Sequence, residues 1–150
     1  MSVCTAPPQE RPAPGWEHFA HMADIGVRGR GASLAQAFES VALALTAVVI
    51  SPAQVAPTTA VDIACPGSDP ELLLVDWLNA LIYEMAARRM LFGKFEVRIG
   101  AEGLRATAWG EPVDRSKHAP AVEIKGATFT ELAVRETGDG TWLAQCVVDI

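Results

Sequence analysis

The chain closes on "VVDI", and its last two residues are where chemistry is most concentrated. Asp149 carries one carboxylate, and Ile150 adds its α-carboxylate one residue later. Two carboxylates this close repel each other unless something cationic neutralises them. Flexible oxygen donors suit a hard divalent cation such as Ca2+ or Mg2+. They do not suit zinc, which prefers His or Cys ligands. A third oxygen donor from elsewhere in the chain would complete the set.

Three further stretches carry reactive side chains. "HMADIG" brings His21 and Asp24 into a short junction between strands. Read locally, Asp24 caps backbone N–H groups in an Asx-turn, and His21 is a general base, a metal ligand or a structural histidine. "WGEPVDRSKH" gathers Glu111, Asp114, Arg115, Lys117 and His118 in a polar loop. Such a loop either carries function or is simply solvated. "VEIKGATFTEL" sets Lys125 beside Gly126 among apolar strand residues. A lysine there needs an anionic partner or marks an open sheet edge.

Other chemistries are missing. The sequence has no P-loop, no GxSxG and no GxGxxG in a strand–helix–strand setting. No Ser/His/Asp or Cys/His set stands out, so motif logic does not favour an enzyme. The enzymatic alternative is a metal-dependent phosphoester hydrolase using the carboxylates, with His21 or His118 as base; two-metal sites ordinarily need more ligands than these.

These residues must be held by regular elements. Ser33 followed by Gln36 is a capping-box pattern. Leu34, Phe38, Val41, Leu45 and Val48 recur at helical spacing until Pro52, which predicts a helix over 34–49. Asp69, Pro70 and Glu71 predict the start of a second helix. Its apolar stripe is Leu74, Trp77, Leu78, Leu81 and Met85, with Asp76, Asn79 and Tyr83 on another side. Period-two alternation predicts strands at 16–20, 25–30 and 59–65. "KFEVRIG" and "GLRATAWGE" flank the hairpin signal "AEG", and "TGDG" separates the last strands. The order implies an α+β fold, two helices packed on an antiparallel or mixed β-sheet in a single domain over 15–150.

Composition narrows the options. The 150 residues are 50% hydrophobic, enough for one cored domain. The net charge of −6 argues against direct, tight binding of DNA or RNA. Three cysteines, none in a CxxC pair, argue against a disulfide framework and suit a reducing cytoplasm, with Cys65 and Cys146 as apolar filler. The Pro-rich stretch 1–14 reads as a flexible tail without a signal-peptide h-region. The apolar run 41–50 is too short to span a bilayer, so no membrane role is expected.

Taken in order, "HMADIG", "SLAQAFESVALALT", "ELLLVDWLNALIYE", "GEPVDRSKH", "VEIKGATFTELAV" and "VVDI" resemble the archease family from Trp16 to Ile150. The resemblance implies that Asp24 is the third oxygen donor, joining Asp149 and Ile150 around a divalent cation. Calcium is the first choice, with Mg2+ or Mn2+ as alternatives. It also implies a functional role for Lys125. Met22, Gly126 and Thr130 depart from the residues common there (Thr, Ala and His), while the carboxylates are retained. Members of the family assist RtcB-type RNA ligases by promoting GTP-dependent guanylylation and turnover, in tRNA splicing or RNA repair. The implied partner is therefore such a ligase, with RNA met only through it. Contact with the ligase is the other role open to His21, Glu111 and His118. An older association would make the protein a chaperone-like modulator of a tRNA methyltransferase.

Overall fold

The computed structural model describes residues 15–120 and 122–150. The expected tail at 1–14 lies outside them. Among the described residues two helices and eight strands follow in the order β1 (Trp16–His21), β2 (Asp24–Gly31), α1 (Leu34–Val49), β3 (Thr59–Pro66), α2 (Pro70–Arg88), β4 (Met90–Gly100), β5 (Gly103–Pro112), β6 (Gly126–Ala127), β7 (Ala133–Glu136), β8 (Trp142–Asp149). A 3-10 turn at Pro52–Gln54 follows α1.

The α+β class and both helices match the sequence expectation. The strands divide into two sheets rather than one. The first runs β1-β2-β8-β6, with β7 also on β8; the second runs β3-β5-β4. Every pairing is antiparallel. Among the described residues no helix is long and apolar enough to cross a membrane.

Local chemistry sets the helix ends. Ser33 Oγ accepts the Gln36 N–H at 3.1 Å. Gln36 reaches back to the Ala32 N–H at 2.9 Å, one residue before the N-cap. Asp69 Oδ1 accepts the Glu71 N–H at 2.9 Å, with Pro70 opening α2. Arg89 ends α2 in the left-handed conformation, φ 53, where glycine is usual.

Helix α1 lies against β2 and β8 of the first sheet and β4 of the second. Phe38, Val41, Ala42 and Ala44 are fully buried there. Gly29 makes the close approach possible, since a Cβ would stand 2.2 Å from the Val41 nitrogen. The Trp77 indole N–H donates to the Phe38 carbonyl at 3.1 Å and joins α2 to α1 through the core. On β8, Cys146, Val147 and Val148 are 0–2% exposed, so the terminal strand is a core strand.

Candidate functional site

Sheet register gathers the expected residues. Ile25 pairs with Val148 across β2 and β8. The same register, extended by one residue, sets Asp24 opposite Asp149, the first residue of β2 and the last of β8. Opposed residues of an antiparallel pair project to one face, with Cβ atoms roughly 4.5–5.5 Å apart. On the outer side, β1 sets His21 opposite Asp24. On the inner side, β6 sets Gly126 opposite Asp149. The Lys125 N–H donates to the Asp149 carbonyl at 2.7 Å. His21, Asp24, Asp149 and Gly126 therefore form one row across four strands, with Lys125 next to its end.

The row closes one end of the first sheet. Asp149 and Lys125 are exposed, while His21 and Asp24 are half-buried. The Ile150 side chain packs against the core and holds the chain end beside the row. His21 and Asp24 are joined by the tight turn Met22–Ala23. Met22 has φ 54, a conformation uncommon outside glycine, and is 95% exposed.

Among the described residues, neither Asp24 nor Asp149 takes part in an ion pair or a side-chain hydrogen bond. The local Asx-turn alternative for Asp24 thus has no bond behind it. Like charges directly opposite each other destabilise a sheet unless neutralised. An opposed pair of carboxylates, one exposed and one half-buried, fits the chemistry of a hard divalent cation. No group of three or more His, Cys, Asp or Glu side chains is arranged to hold a metal among the described residues. The expected set has only two such side chains, its third donor being a main-chain carboxylate.

Glu111 and His118 form a separate cluster at the end of β5. His118 is 1% exposed. Its Nδ1 accepts the Asp114 N–H at 3.0 Å, which leaves Nε2 to carry the ring's N–H. Nε2–H faces Glu111 Oε2 at 3.0 Å. Glu111 Oε2 also accepts the Ala56 N–H at 2.7 Å and the Lys117 ammonium at 2.7 Å. The Ala56 N–H foremost, then Lys117 and His118, hold the Glu111 carboxyl down at about 2. Asp114 is lowered by the Ser116 hydroxyl and N–H. Both nitrogens of His118 are engaged, which leaves His21 as the base open to the hydrolase alternative.

Other residues fall into structural places. Cys65 and Cys146 are buried free thiols. Burial raises the Cys65 thiol and pushes that of Cys146 up to about 12, so neither is a ready nucleophile. The expected Glu84–Arg88 pair forms at 2.5 Å. Sequence reasoning missed the role of Asn79, whose Oδ1 accepts the Ala127 N–H at 2.9 Å. Its one signal was an asparagine, a modest helix former, in the middle of a helix.

The comparisons with known proteins agree on one family. A model described as the Archease protein family matches residues 16–150. Protein archease of Pyrococcus furiosus is 41% identical over 139 residues, spanning 90% of this chain and 98% of that protein. Protein archease of Pyrococcus abyssi is 39% identical with the same coverage. The solution structure of Methanobacterium thermoautotrophicum protein 1598 superposes with a TM-score of 0.80 at 30% identity, covering 92% of this chain and all of that one.

Proposed function

Because the chain belongs to the archease family, we propose that it is a non-enzymatic protein cofactor that activates an RtcB-type RNA ligase. It promotes the ligase's GTP-dependent guanylylation and turnover, in tRNA splicing or RNA repair, and it does so in the cytoplasm. The unit that acts is the domain over 15–150, with RNA reached only through the ligase.

One observation carries the reading. Asp24 and Asp149 oppose each other at an open sheet end, and neither is in an ion pair among the described residues. Asp24, Asp149 and the Ile150 α-carboxylate would hold a divalent ion, Ca2+ foremost with Mg2+ or Mn2+ as alternatives. When bound, that ion supplies concentrated positive charge at the face offered to the partner. The chain's own residues do the rest. The buried strands β2 and β8 fix the spacing of the carboxylates. His21 flanks Asp24, and Lys125 presents an ammonium group to anionic groups of the partner.

The test is guanylylation of a purified ligase partner with wild-type protein and with Asp24→Ala. Loss of stimulation in the variant is expected. Equal stimulation by both proteins would contradict the proposal.

A further inference from the structure

The strand that brings Lys125 to the acidic row has little regular structure of its own. β6 is two residues long, Gly126–Ala127. On its inner edge it is held to β8 by the Lys125 N–H to the Asp149 carbonyl, at 2.7 Å, and by the Thr128 N–H and hydroxyl to the Val147 carbonyl, at 3.0 and 2.8 Å. Its other edge is the end of the sheet. There the Ala127 N–H points away from β8 and is taken by Asn79 Oδ1 at 2.9 Å. A two-residue strand has too few ladder bonds to define its seat by pairing alone. An edge amide left open invites water and slippage.

Asn79 has no helical reason to stand where it does. It is exposed on α2, six positions from either Leu73 or Met85, and asparagine is a poorer helix former than alanine. Its side chain bonds out of the helix to a strand 48 positions away. The helix beneath it is anchored by Leu74, Trp77 and Leu78, all fully buried. Asn79 thus ties a two-residue edge strand to a well-packed helix, at the residue pair next to Lys125.

We infer that Asn79 is a positioning residue: through Ala127 it sets β6 on β8 and so fixes Lys125 beside Asp149. The inference rests on the functional proposal above only for the task given to Lys125; the seating of β6 is independent of it. Two arms keep the questions apart. The first is amide hydrogen exchange in Asn79→Ala and Asn79→Asp. Loss of one net hydrogen bond at a shared seat should raise exchange at Lys125, Ala127 and Thr128 together by roughly 3- to 10-fold in Asn79→Ala. Asn79→Asp keeps the acceptor and should restore protection. A rise confined to Ala127, or none, overturns the inference, because Asn79 then caps one amide and positions nothing.

The second arm uses the ligase. Asn79→Ala should lower the maximal stimulation of guanylylation about as far as Lys125→Ala does, leave Ca2+ affinity within about twofold, and add nothing in the double variant. Full stimulation by Asn79→Ala alongside loss in Lys125→Ala overturns the positioning role. If Lys125→Ala itself stimulates fully, the task assigned to Lys125 fails, and hydrogen exchange still decides how β6 is seated.

Discussion

Two carboxylate clusters in this fold stand in opposite states. Glu111 takes the Ala56 N–H, the Lys117 ammonium and the ring of a buried histidine. The Asp24 and Asp149 carboxylates stand opposite each other across β2 and β8 and are in no ion pair or side-chain hydrogen bond among the described residues. In sequence, the charge-rich loop reads either as functional or as simply solvated, and the chain end as the place where carboxylates concentrate. The difference is informative. A carboxylate whose donors are all supplied by its own chain has become structure. An opposed pair left unneutralised at a strongly held strand end keeps its capacity for a ligand. Native chains tolerate such local conflict chiefly at functional places.

The comparison breaks most visibly in ion binding. Asp24→Asn or Asp149→Asn should weaken Ca2+ binding by roughly 100-fold or more by calorimetry, because each removes one of the proposed oxygen donors. The metal-free proteins should melt no lower than wild type, since a repulsive pair has been relieved. A next effect belongs to the other cluster. His118→Ala removes a buried ring and strands the groups bonded to it, so unfolding should become easier by about 2–3 kcal/mol in urea. Its Ca2+ affinity should stay within about twofold. A large loss of affinity there would mean that the clusters act as one.

Smaller changes sharpen the contrast. A short Gly-Ser extension after Ile150 replaces the α-carboxylate by an amide, and Ca2+ affinity should fall by roughly 10-fold, one ligand being weakened rather than a charged side chain lost. Unchanged affinity would reduce Ile150 to a strand end. The smallest effect is in acid. The Glu111 carboxyl sits at about 2 in the fold against an ordinary 4.5, so the unfolded chain binds more protons in between. Its contribution is present above pH 4.5 and fades as pH falls toward 2. Glu111→Gln should therefore lose stability less steeply than wild type across that window, measured by melting at successive pH values. Asp139, also near 2 through the Thr137 and Thr141 hydroxyls, sets slope that both proteins share.

Much of the scaffold was legible because its signals are local. Ser33 and Asp69 cap their own helices, and Leu34 through Val48 repeat at the helical period that α1 displays. The division into two sheets was not legible, since alternation fixes the faces of a strand and not its partners. The acidic site was half visible. Asp149 and Ile150 are neighbours in sequence, but Asp24 joins them only through the β2–β8 register, and locally it looked like a turn residue. Glu111 and His118 were seen as charged loop residues. That they are a satisfied unit depends on Ala56, 55 positions from Glu111, which no spacing rule points to. Asn79 was placed on a polar helix side for the same reason, its partner lying on a strand too short to read from alternation.

The decisive question is whether the unneutralised pair, and not the satisfied one, supports activity. Guanylylation of the proposed ligase partner should be followed against Ca2+ concentration with wild-type protein, Asp149→Asn and His118→Ala, at a temperature where all three are folded. Asp149→Asn should stay at the unstimulated rate at every Ca2+ concentration, and His118→Ala should reach the wild-type maximum. An Asp149→Asn curve that follows wild type would mean that the opposed carboxylates are not what supports stimulation.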